Sequence, residues 1–358
     1  MDVLTPSDEH LPRNPPAAVA TSEPADEAGT APGDRRFRPD VEGLRAVAIG
    51  LVVLYHAGLP GLSGGYVGVD VFFVISGFVI TGVLLRERSA TGRTSLAHFY
   101  ARRSRRILPA ATLVIVVTVV AAYAVLGIAA GNQTAVDARW ATVFLANFHF
   151  AAAGTNYLNA HQLPSALQNF WSLAIEEQFY LVYPTVFLLV WRLRWRTPPR
   201  VRLLFGLGAV VFVSFLLSVA QTATDPATAY FSPFTRAWEL ALGAMVALAT
   251  DRLVRLPAPI AAVLTWVGLG AVFFAAVAFG ANTAYPGSAV AIPVVGTALV
   301  IAGGAAVPAA GAELLLGRRP FGWLGRLSYS LYLWHWPILI LAAESANRAS
   351  LPFHQNLL

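Results

Sequence analysis

The chain has 358 residues, of which 56% are hydrophobic and only 12% charged, with a mean hydropathy of +0.60. Soluble domains carry roughly a quarter charged residues, so that class is excluded at the outset. Cysteine is absent, which removes disulfide frameworks, thiolate zinc sites and cysteine nucleophiles together. The net charge of +6 does not point to nucleic acid, because the 25 basic residues, all arginine, fall between apolar runs rather than along one face.

Residues 1–34 are rich in Pro, Ala, Asp, Glu and Thr and lack an apolar run. Residues 1–36 are therefore expected to form a disordered cytoplasmic tail, not a secretory signal. Apolar stretches close to the ~20 residues a bilayer requires then recur, at about 44–63, 67–85, 107–129, 170–191, 203–221, 235–250, 258–280, 287–308 and 322–342. A tenth, at 138–153, is short and interrupted by Asn147 and His149. The fold class is all-α, a polytopic integral membrane bundle with about nine to ten transmembrane helices.

Arginine clusters at helix ends stay in the cytoplasm. With the tail inside and 138–153 not crossing, the cytoplasmic loops hold seven arginines in 86–106, five in 192–202, two in 251–257 and two in 309–321. Only Arg139, Arg236 and Arg348 then lie outside. Letting 138–153 cross would also move the five arginines of 192–202 outside, so it is read as a non-crossing segment. The expectation is a multi-pass cell-membrane protein with a cytoplasmic N-terminus, a membrane domain at 37–342 and a short extracytoplasmic end at 343–358. The segments 130–168 and 222–234 are expected to be loops.

An ionisable side chain inside a span costs at least a few kcal/mol and must face protein or water. Arg45 and His56 are eleven residues apart, which returns to nearly the same helix face and separates them by roughly 16 Å. Arginine suits a phosphate or carboxylate, and a neutral imidazole can take a proton from a hydroxyl. A histidine bonded to a neighbouring helix, with Arg45 as a topology anchor, fits the spacing equally well.

In GGYVGVDVFFVISGFVIT, Asp70 stands at the start of an apolar span among Gly64, Gly65, Gly68 and Gly77. The glycines read as close helix packing, and Asp70 as a group able to orient His56. In HFYARRSRRILP, Arg102, Arg103, Arg105 and Arg106 precede the third helix, either as a site for a phosphorylated cofactor or as a positive-inside anchor. In QNFWSLAIEEQFYLVYP, Glu176 and Glu177 lie about two turns into a segment that begins on the outer side. Being adjacent, they point in different directions, so at most one is expected to face the first helix. A pairing with an arginine of another span, such as Arg236, is the structural alternative. The rings and imidazole of RLSYSLYLWHWPI, Tyr329, Tyr332, Trp334, His335 and Trp336, read as helix packing.

Taken in order, RPDVEGLRAVAIGLVVLYH, GGYVGVDVFFVISGFVIT, FYARRSRRILPA, FWSLAIEEQFYLVYP and SYSLYLWHWP resemble the acyltransferase 3 family of membrane O-acyltransferases. The resemblance implies transfer of an acyl group, commonly acetyl, from cytoplasmic acyl-CoA to an extracytoplasmic hydroxyl on a carbohydrate or glycolipid, with no metal and no permanently bound cofactor. It places the family's arginine-x10-histidine motif on Arg45 and His56, with His56 as base. It also places the arginine-x-x-arginine motif on Arg103 and Arg106, overlapped by Arg102 and Arg105, as contacts to CoA phosphates. The glutamate of the WSL-x-x-E motif falls on Glu176, and Asp70 or Glu176 is expected to assist His56. Family members are expected to carry one further helix after SYSLYLWHWPI, and longer ones an SGNH-type domain, so the chain is either a fragment or a short member. A transporter or flippase for an anionic lipid-linked sugar, with Arg45, His56 and Glu176 lining a conduit, is the alternative.

Overall fold

Helix α1 (Pro39–His56) opens on a proline, whose fixed φ and missing N–H suit a first turn. Asp40 and Glu42 in that turn complement the positive end of the helix dipole. The computed structural model describes residues 38–154, 164–193, 195–346, 348 and 351–356, and every regular element among them is helical. The tail expected at 1–36 lies outside the described residues.

A 3₁₀ turn at Gly65–Val67 leads into α2 (Gly68–Thr91), which ends on Gly92 at φ 68°. Helix α3 (Leu96–Ala121) is capped by the Ser95 hydroxyl, which accepts from the His98 N–H, and runs on through a π-helical turn at Ala122–Leu126. Then come α4 (Ile128–Thr142), the seven-residue α5 (Ala146–Ala152) and α6 (Phe170–Arg192). Helices α7 (Pro199–Thr224), α8 (Pro226–Phe231) and α9 (Pro233–Leu253) each start with a proline in the first turn. The chain continues through α10 (Ala258–Ala278), α11 (Ala291–Gly304), the single turn α12 (Glu313–Leu316), α13 (Arg319–Ser345) and α14 (Phe353–Asn356).

Among the described residues five segments are long and apolar enough to cross a membrane by length and composition: Gly65–Thr91, Leu96–Leu126, Phe170–Arg192, Pro199–Thr224 and Ala258–Ala278. The other apolar stretches of the sequence also fold as helices, but shorter or more polar ones. Helix α11 has 14 residues, α1 carries Asp40, Glu42 and Arg45, α9 carries Arg236 and Glu239, and α13 carries a row of serine, tyrosine and histidine. Three sequence boundaries shift. The third helix starts at Leu96, so its four arginines lie within the helix instead of ahead of it. The stretch 138–153 is broken at Val143–Leu145, where Phe144 takes a positive φ of 54°. The regions expected as loops at 130–168 and 222–234 contain α4, α5 and α8.

Helix α2 is the axis of the bundle and is mostly buried, whereas α7 is peripheral and mostly exposed. Two glycines let α2 and α9 touch backbone to backbone: a Cβ on Gly77 would sit 1.8 Å from the Leu240 carbonyl oxygen, and one on Gly243 would sit 1.9 Å from that of Val74. A third close approach joins α1 to α13, where a Cβ on Gly325 would lie 2.0 Å from the Glu42 carbonyl oxygen. That crossing is one turn from Arg45 and Ser328, so it sets the spacing of the polar groups described below.

Replacing Gly77 by alanine is expected to lower the thermal stability of the purified protein, overpacking typically costing about 1–3 kcal/mol. Gly270→Ala, where an added Cβ meets nothing within 4 Å, should leave stability unchanged or raised. Thermal unfolding of both variants in detergent checks the contrast.

Candidate active site

The inward stripe of α3 runs through Phe99, Arg103 and Ile107, one helical repeat apart, with Phe99 and Ile107 buried. Arg103 is thereby carried into the bundle. Its Nη2 donates to Glu176 Oε1 at 3.0 Å and lies 3.5 Å from Glu177 Oε1. Its guanidinium sits 3.9 Å over the Tyr180 ring. Glu176 Oε1 also accepts from the Ser76 hydroxyl at 2.7 Å and from the Tyr180 hydroxyl. A half-buried carboxylate that gathers a cation and two hydroxyls is compensated in the way an apolar surrounding demands.

The depth of this contact differs from what the sequence suggested. Glu176 was expected near the outer end of its helix and Arg103 near the cytoplasmic side. They meet because α3 begins deep along α6: the Tyr100 hydroxyl donates to the Leu181 carbonyl at 2.8 Å, so the arginine turn of α3 is level with Glu176. The two glutamates also share a partner, Arg103, where the sequence expected them to diverge.

A cavity of about 90 Å³ lies beside this ion pair. Arg45, Arg103 and Arg106 reach it from α1 and α3, Ser76 from α2, Glu176 and Ser172 from α6, and Ser328 and Tyr332 from α13. Arg45 Nη2 donates to Ser328 Oγ at 2.9 Å, and Arg45 Nη1 is 3.5 Å from Glu42 Oε1. Arg106 lines the cavity with no ion pair or hydrogen bond among the described residues. Arg102 and Arg105 turn away: Arg102, 41% exposed, pairs with Glu87 at 3.1 Å, and Arg105 bonds the Ala101 carbonyl of its own helix. Of the four candidate phosphate ligands, two therefore face the cavity.

On the cavity wall Tyr332 joins Ser172 at 2.5 Å, and three residues further along α13 His335 meets His56. His56 Nδ1 and His335 Nε2 are 3.1 Å apart, with the rings nearly parallel at 19° and the Trp336 ring edge-on to His56. Gly325, Ser328 and His335 meet Glu42, Arg45 and His56 in that order, so α1 and α13 run in the same direction. The α13 cluster that the sequence assigned to packing thus supplies a wall of the site. Its signal was present in the spacing, since Ser328, Tyr332 and His335 share one helix face. No comparable signal marked Ser76, Ser172 or Tyr180.

Asp70 is placed elsewhere. Its described partners are Arg236 Nη1 at 2.6 Å and the Tyr285 hydroxyl, not His56. Arg236, expected to lie outside, is 1% exposed and also binds Glu239 at 2.9 Å, so it pairs with Asp70 and Glu239 instead of Glu176. This group ties α2 to α9 and to the chain ahead of α11. Among the described residues no group of three or more His, Asp or Glu side chains is arranged to hold a metal ion.

Residues 38–357 match a family model described as an acyltransferase domain. The chain is similar to the peptidoglycan O-acetyltransferase OatA of Listeria monocytogenes, 34% identical over 317 residues, covering 86% of this chain and 50% of the relative. It is also similar to the putative peptidoglycan O-acetyltransferase YrhL of Bacillus subtilis, 34% identical over 86% of this chain and 49% of the relative. A putative O-acetyltransferase of Staphylococcus aureus is 31% identical over 85% of this chain and 51% of the relative. The chain spans about half the length of these relatives. No solved structure matches it.

Arg236→Met would leave Asp70 and Glu239 buried without their cation, and is expected to destabilise the protein by about 3–5 kcal/mol. Loss of the monodisperse peak in size-exclusion chromatography after mild heating measures this.

Proposed function

Because the chain belongs to the acyltransferase 3 family, whose model covers residues 38–357, we propose that it is a multi-pass membrane O-acyltransferase. The proposed donor is cytoplasmic acetyl-CoA, and the proposed acceptor is a hydroxyl of a cell-envelope glycan such as peptidoglycan, the substrate class that the names of its relatives state. The proposed topology has α1, α2, α3, α6, α7, α9, α10, α11 and α13 crossing, with the N-terminus in the cytoplasm. The distribution of arginines supports it.

One observation carries the reading. The same cavity is lined by Arg45, Arg103 and Arg106 and by Tyr332, which lies one helical turn before His335 and its contact with His56. Guanidiniums recognise phosphate with paired N–H donors, and Arg106 brings a charge that the described residues leave uncompensated. CoA phosphates are assigned to Arg103 and Arg106, and Arg45 stands deeper on the path toward His56. In direct transfer, the acceptor oxygen attacks the acyl carbonyl carbon while His56 takes the hydroxyl proton. The new ester C–O bond forms, the C–S bond breaks, and the proton passes from His56 to the departing sulfur to give free CoA. Glu176 holds Arg103 in place, and Asp70 serves the fold.

Purified protein in lipid should release CoA from acetyl-CoA in the presence of an envelope glycan. His56→Ala is expected to reduce kcat by roughly 10²–10⁴-fold, the usual range for a general base. Arg106→Gln should raise KM for acetyl-CoA about tenfold, as loss of a hydrogen bond to a charged group does, and Arg102→Gln should leave it unchanged. Equal release by wild type and His56→Ala would remove His56 from the reaction, and no release by wild type would move the conduit reading forward.

A further inference from the structure

Helix α13 contains Pro337, which has no N–H to offer the carbonyl of Leu333 four residues back. Asn169 Nδ2 fills part of this gap, donating to the Tyr332 carbonyl at 2.9 Å and reaching that of Leu333 at 3.5 Å. His335 Nδ1 lies 2.8 Å from the same Tyr332 carbonyl and 3.2 Å from that of Leu331.

Carbonyl oxygens only accept, so His335 Nδ1 carries a proton. In the neutral ring the opposite nitrogen, Nε2, then bears the lone pair. That nitrogen is the one 3.1 Å from His56 Nδ1. A nitrogen–nitrogen contact of this length needs one proton between the two atoms, and only His56 Nδ1 can supply it. The lone pair of a neutral His56 is therefore on Nε2. His335 is 8% exposed, and no carboxylate is among its described partners that would favour a doubly protonated ring.

From this chain of contacts we propose that His335 is a positioning residue that fixes the Nδ1–H tautomer and ring orientation of His56, leaving Nε2 as the nitrogen that takes the acceptor's proton. The order is Tyr332 carbonyl, His335, His56, substrate hydroxyl. His335 acts as the neutral counterpart of a carboxylate that orients a catalytic imidazole. The role rests on the reading of His56 as the base, but the tautomer can be measured without any turnover.

The test uses the full chain in lipid nanodiscs with ¹⁵N-labelled histidine, the His56 signals being assigned by their loss in His56→Ala. In wild type, His56 is expected to show a protonated Nδ1 and an unprotonated Nε2. His335→Leu, which removes the acceptor, should shift His56 toward the opposite tautomer. It should also lower kcat for CoA release by roughly 10²-fold or more, as a wrongly protonated imidazole does, with KM for acetyl-CoA within about twofold of wild type. His335→Gln, whose side-chain oxygen can accept from His56 Nδ1, should recover at least about tenfold of that kcat. Wild-type His56 protonated on Nε2, or His335→Leu with unchanged kcat, overturns the proposal. If the protein turns over no acetyl-CoA but His56 has the expected tautomer, the transfer reading fails and the positioning contact stands.

Discussion

The ion pair between Arg103 and Glu176 is the contact on which the polar architecture depends. In an apolar bundle an isolated guanidinium or carboxylate has a prohibitive desolvation cost, so each can be buried only where the other is waiting. The pair joins α3 to α6, and Ser76 brings in α2 through the same carboxylate oxygen. A charge so compensated can remain beside a cavity. Removal of Arg103 would leave Glu176 and Glu177 without their shared cation, whereas removal of Glu176 would leave Arg103 only the longer contact to Glu177.

The second buried ionic group, formed by Asp70, Arg236, Glu239 and Tyr285, obeys the same physics toward a different end. Its residues are almost fully enclosed and none of them lines the cavity. It locks α2 against α9 alongside the glycine contacts of Gly77 and Gly243. Both groups look alike in the sequence, as ionisable residues interrupting apolar helices. Access to the cavity is what separates a structural ion cluster from one that can serve a substrate, and access depends on tertiary packing.

That difference marks how far the sequence could be read. Helical periodicity and length brought out the stretches that fold as α2, α6, α7 and α10, because those properties are local. Arg45, His56 and Glu176 stood out because charge in an apolar helix is costly wherever it occurs. The relative depth of the helices was not legible: the level of α3 beside α6 rests on a contact between the Tyr100 hydroxyl and the Leu181 carbonyl, 81 positions apart. Asp70 was misassigned for the same reason, since its partner Arg236 lies 166 residues away. His335 was partly legible, through the shared face of Ser328, Tyr332 and His335, but its imidazole could equally have packed against lipid-facing rings until α1 was placed beside it.

The alignment of depths has a consequence for chemistry across a membrane. A group handed from one aqueous side to the other meets a hydrocarbon layer of about 30 Å if the bundle adds nothing. Here α3 starts well inside the length of α6, so the arginines that would grip an anionic donor sit at the level of Glu176, not at the outer tips of the helices. From Arg45 to His56 along α1 the axial rise is roughly 16 Å, about half that layer. The same ion pair that stabilises Arg103 at this depth thus shortens the path between the arginines proposed to bind the donor and the imidazole pair, and the close crossing of α1 and α13 at Gly325 keeps the Arg45–Ser328 and His56–His335 contacts on the same two helices.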